Sequence, residues 1–114
     1  MQFITEQIQS ITVVTIKGRV DAASSDDLYA SLTTLLHEGQ KYLLINCEEI
    51  EFLSSGGMRA FLLTIKEIEK HKGKIVFSKF NDVIKEILHL SGMSKYFHHF
   101  DDLTDALNEL KRAL

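Results

Sequence analysis

The chain has 114 residues, of which 45% are hydrophobic and 25% charged, and its formal net charge is −3. That length is enough for one ordinary core and leaves no room for a second, so a single domain over residues 1–114 is expected. The balance excludes a disordered or disulfide-stapled chain, and Lys and Arg interspersed with Asp and Glu offer no clustered positive surface for nucleic acid, which leaves a protein as the expected partner.

The opening "MQFITEQIQS" is too polar for a signal peptide, and no run reaches the ~18 apolar residues of a membrane span. No membrane insertion and a cytoplasmic location are therefore expected. Residues 3–8 and 11–17 are short and rich in β-branched side chains, which predicts two strands turning at Gln9 and Ser10, with Gly18 closing the second. In "SSDDLYASLTTLLHEG" the residues Leu28, Leu32, Leu35 and Leu36 recur at helical spacing, with Ser24 as the predicted cap, Asp27 three residues on, and Gly39 at the end. Residues 41–47 form a nearly continuous apolar run, as in a strand covered on both faces. The lone Cys47 lies in that run, so no disulfide can form within the chain, and a buried strand residue is expected rather than a functional thiol.

The stretch "EFLSSGGMRAFL" follows. Met58, Phe61, Leu62, Ile65 and Ile68 share one helical face up to Gly73, so Ser54 or Ser55 stands where a hydroxyl can cap the helix, and Gly56 and Gly57 ease the turn. Residues 74–79 predict another strand, and Asn81 the cap of a helix carrying Val83, Ile84, Ile87 and Leu88 that stops near Gly92. Tyr96 and Phe97 suggest a last short strand, and Asp101 the cap of a final helix with Leu103, Ala106, Leu107 and Leu110. A hairpin followed by alternating strands and about four helices predicts an α/β layered domain with a mixed, mostly parallel sheet. The serine motif then falls on a loop leaving the carboxyl end of a strand, the usual binding edge of such sheets.

Three chemistries are set aside by spacing. The nucleophile elbow needs glycine two residues before its serine, where Leu53 precedes Ser55, and no general base is placed nearby, so no catalytic residue is expected. His98 and His99 are neighbours that point apart, and His37, His71 and His89 are scattered, so no metal site is expected. "SSGGMR" lacks the spacing and the Lys-Ser/Thr ending of a phosphate-binding loop.

"FLSSGGMRAFL", preceded by "YLLINCEEI", resembles the signature of the STAS domain, the fold of bacterial anti-sigma factor antagonists, in its Ser-Ser-Ala-Gly-Leu-Arg version. Gly56 stands where alanine is usual and Met58 where leucine is. "GRVDAASSDDL" and "IKEILHLSGMSKYF" are similar to two further blocks of that family, in the same order. The resemblance implies a non-enzymatic protein without a cofactor that binds an anti-sigma factor or related serine kinase and is reset by a serine phosphatase, the ATP belonging to the kinase. It implies Ser55 as the phosphoacceptor, with Ser54, which stands where many members have aspartate, as second choice. It places Asp21, Ser54, Gly56, Gly57, Met58 and Arg59 at the partner-binding edge. Leu63 joins them from the helical wheel, about 140° from Met58 and near Arg59. For Asp21 a turn or cap role stands beside the binding one. Two alternatives stand beside this reading: a constitutive STAS scaffold subunit of a transporter ATPase or sensory assembly, and a small serine hydrolase.

Overall fold

A computed structural model describes residues 1–114. Strands β1 (Gln2–Ile8) and β2 (Ile11–Val20) form an antiparallel hairpin, turned at Gln9 with its φ of 55°. Then come α1 (Ala22–His37), β3 (Tyr42–Asn46), β4 (Ile50–Leu53), α2 (Ser55–Lys70), β5 (Lys74–Ser78), α3 (Asp82–Leu90), a 3-10 turn at Ser94–Tyr96, β6 (His99–Phe100) and α4 (Leu103–Lys111). The sheet runs β1-β2-β3-β5-β6, parallel from β2 onward, with β4 also parallel to β2. The expected α/β architecture and its four helices are present.

Side chains alternate across the central strands. Leu43, Ile45, Ile75 and Phe77 face a layer made by Leu28, Leu32 and Leu36 of α1, Phe61 and Ile68 of α2, and Ile84 and Leu88 of α3. Leu44 and Val76 face the opposite way, where Ala106 and Leu110 of α4 cover them. Burial on both faces is why residues 41–47 read as an unbroken apolar run. Cys47 is fully buried, and burial pushes its thiol up, away from reactivity.

Local readings shift at four places. β2 does not close at Gly18: a bulge between Gly18 and Arg19, where Gly18 takes a φ of 89°, lets the strand continue to Val20. That extension pairs with β4, a strand missing from the sequence reading. Helix α1 is capped by Asp21 rather than Ser24, and the two form a reciprocal box. Ser24 N–H donates to Asp21 Oδ1 at 3.0 Å, and Asp21 N–H donates to Ser24 Oγ at 3.0 Å. Helix α4 is capped by Asp102, which accepts from Thr104 N–H at 2.6 Å, while Asp101 pairs with Lys85 Nζ at 2.6 Å. Tyr96 and Phe97 belong to the 3-10 turn and its exit, and the last strand, His99–Phe100, begins one residue further on, after His98.

His99 ties α3 to this end of the sheet. Phe80 N–H donates to His99 Nε2 at 3.1 Å, and the ring stacks on Phe80 with centroids 5.0 Å apart. Only an unprotonated Nε2 can accept that bond. Burial holds the imidazole below its ordinary value, outweighing the attraction of Asp101, while Lys85 pushes the same way as burial. A base whose folded-state pKa is depressed gives stability that is complete above the unfolded value and is lost as pH falls through the folded one. The melting temperature is therefore expected to fall as pH drops below about 6.5, before most carboxylates titrate. His99→Phe, which keeps the stack and loses the acceptor at every pH, should flatten that segment of the curve; an unchanged slope would exclude His99 as its source.

Candidate functional site

The site is built where β2 and β4 end together. Val20 pairs with Leu53, and Ser54 N–H donates to Val20 O at 2.8 Å, so each strand hands over to a helix at the same level of the sheet. Asp21 begins α1 and Ser54 begins α2, bringing two helix N-termini side by side at the carboxyl edge. Asn81, the cap of α3, joins them: its Nδ2 donates to Ile50 O at 3.3 Å, and its Oδ1 accepts from Ile84 N–H at 2.8 Å.

Within this frame the two serines differ. Ser54 is the N-cap, in extended backbone, and its Oγ accepts from Gly57 N–H at 3.0 Å. Ser55 is the first helical residue, exposed, and its hydroxyl has no hydrogen bond within the protein. The glycines serve close packing. A Cβ on Gly56 would lie 2.8 Å from Ser25 Oγ of α1, and one on Gly57 would lie 2.7 Å from both Val20 Cγ1 and Leu53 Cδ1. Gly57→Ala is expected to spread the two strand ends, and a loss of about 2 kcal/mol is expected from overpacking, read as a shifted urea midpoint; a change within error would mean that Val20 and Leu53 both give way by side-chain movement alone.

The remaining expected residues divide between seat and surface. Met58 and Gly57 are buried and shape the site from beneath. Arg59 is exposed, whereas Leu63 is half-buried beside α1, lining a cavity of about 130 Å³ with Tyr29, Asp26 and Arg59. Asp21 keeps its cap role, and hydrogen bonds from Ser24 hold its carboxyl below the usual range. A second cavity, of about 340 Å³, is lined by Ser55, Met58, Arg59, Leu62 and Met93.

Sequence reasoning missed the outer face of α3. Val83, Ile87 and Leu90 are exposed, while Ile84 and Leu88 alone carry the helix into the core. The signal was in the chain, since five large apolar residues in a nine-residue helix exceed one buried stripe. No group of three or more His, Cys, Asp and Glu side chains converges as a metal site, and no helix is long and apolar enough to cross a membrane.

Comparison with known proteins places this geometry. The model of the STAS domain matches residues 2–106. The chain is 23% identical to BtrV of Bordetella bronchiseptica over 114 residues, covering 100% of this chain and 98% of that protein. It is 22% identical to an anti-sigma F factor antagonist of Paenibacillus polymyxa, covering 97% and 96%. The structure of the Bacillus cell fate determinant SpoIIAA in its phosphorylated form superposes with a TM-score of 0.73 at 18% identity, over 96% of this chain and 99% of that one. With its signature motif at the joined ends of β2 and β4 and the family model spanning nearly all of it, the chain belongs to the STAS domain family.

Proposed function

We propose that this protein is an anti-sigma factor antagonist switched by phosphorylation of Ser55. The unmodified form binds an anti-sigma factor or related serine kinase and frees the factor which that kinase restrains. Modification ends the binding, and a serine phosphatase restores it. In the forward step Ser55 Oγ bonds to the γ-phosphorus of the kinase's ATP, the bond from that phosphorus to the β-bridging oxygen breaks, ADP departs, and the hydroxyl proton passes to a base of the kinase.

The observation that carries the reading is the division of labour between adjacent hydroxyls. Ser54 Oγ is engaged by Gly57 N–H, whereas Ser55 is exposed and unengaged at the start of α2. The unpaired amides and the dipole of that helix start favour an added anion, so the modified domain stays folded. The reading is also supported by the Paenibacillus relative's name and by the existence of SpoIIAA in a phosphorylated form. The partner surface would combine Asp21, Ser54, Gly56 and Arg59 with the cavity above Met58 and the exposed face of α3.

The test is mass spectrometry after incubation with ATP and the histidine-kinase-like ATPase encoded nearest the gene. Phosphate is expected on Ser55, lost in Ser55→Ala and retained in Ser54→Ala. Modification that survives Ser55→Ala and disappears in Ser54→Ala would move the site.

A further inference from the structure

Ser55 and Arg59 stand at i and i+4 on α2, a spacing that puts Cβ atoms roughly 5–6 Å apart on one helix face. Both line the same cavity. The chain has three arginines, and two are engaged: Arg19 lies 4.5 Å above the Phe52 ring, and Arg112 Nη1 lies 2.7 Å from Glu109 Oε1. Arg59 is exposed and has neither an ion pair nor a hydrogen bond, although Asp26 of α1 lines the neighbouring cavity with it. An unengaged hydroxyl and an unengaged guanidinium thus share one turn of helix.

We propose that Arg59 is the intramolecular clamp of the phosphate on Ser55. The proposal rests on the reading that Ser55 is the phosphoacceptor, and adds what becomes of the charge once it is there. A guanidinium offers two parallel N–H donors matched to phosphate oxygens, which an ammonium does not. The order also suits a helix, with the anion N-terminal to the cation and beside the positive end of the dipole. The clamped phosphate ties down the first turn of α2, and Arg59 is withdrawn from any acidic group on a partner. One modification then adds close to two negative charges and engages an exposed positive one.

The test uses the full chain with phosphoserine installed at position 55 during translation, so that no kinase is needed. In ³¹P NMR the second ionisation of the phosphate is expected about 0.5 pH unit lower in the wild-type sequence than in Arg59→Gln, with Arg59→Lys between them and Arg59→Glu shifted the opposite way. Melting should agree, the phosphorylated wild type unfolding at a higher temperature than phosphorylated Arg59→Gln by more than the unmodified pair differ. Superimposable ³¹P titrations for the wild type and Arg59→Gln would overturn the clamp. That failure is distinct from failure of the switch itself, which is read by whether a kinase modifies Ser55.

Discussion

Phosphorylated at Ser55, the protein is expected to bind its kinase about 100-fold more weakly than the unmodified form, equivalent to roughly 3 kcal/mol. The phosphate brings close to two negative charges to a surface that a partner must cover. Water solvates those charges in the free protein and is expelled from the contact in the complex, so the cost falls on association rather than on folding. Ser55→Asp carries a single charge on a shorter side chain and is expected to lose about tenfold, near 1.4 kcal/mol. Ser55→Ala should bind like the unmodified protein and stay bound in the presence of ATP.

Ser54→Ala is the informative control. It removes the acceptor for Gly57 N–H and should cost about 1 kcal/mol of stability as a lost N-cap, yet leave Ser55 open to the kinase. Calorimetric titration at physiological ionic strength measures the affinities, and repeating it in high salt should narrow the gap only where the charge stays exposed to solvent. Equal affinity of the unmodified, phosphorylated and Ser55→Asp forms would replace the switch with a constitutive scaffold.

The site was legible in the sequence to the extent that its chemistry is local. Two serines before two glycines and an apolar helical stripe announce a cap at Ser54 or Ser55, and Ser54 is the one that caps α2. Which of two caps wins is settled by tertiary contacts. Asp21 and Ser24 can each cap the other's backbone, and Asp21 prevails as N-cap because β2 runs on to Val20 and delivers the chain there. At α4 the cap is Asp102, one residue beyond the expected Asp101, which instead pairs with Lys85 of α3. Strand β4 was hidden because Ile50–Leu53 is only four residues long and pairs with the far half of β2, beyond a bulge. Leu63 looked off-face because a helical wheel knows one neighbour; α1 packs along the flank of α2 and half covers it.

Phe77→Ala is expected to cost about 4 kcal/mol, a large share of the ~5–15 kcal/mol that holds a domain together. Phe77 is fully buried at the hub of an aromatic cluster, edge-on to Phe61 at 5.1 Å and to Phe97 at 4.9 Å, and stacked on Phe80 at 5.7 Å. Truncation leaves a ring-sized void whose lining comes from three separate elements, so it cannot collapse by the movement of one side chain. Phe77→Leu fills part of the space and should cost only about 1.5 kcal/mol. The effect should also be one-sided. Phe61 seats α2 and Phe80 leads into Asn81 at the start of α3, whereas α4 packs on the opposite face through Val76 and Leu44. Urea midpoints measure the stability loss, and hydrogen exchange should show α2 and α3 amides gaining more in rate than those of α4. Uniform acceleration across both layers would mean that the two faces unfold as one unit, and that the serine edge draws its rigidity from the whole domain rather than from the aromatic layer beneath it.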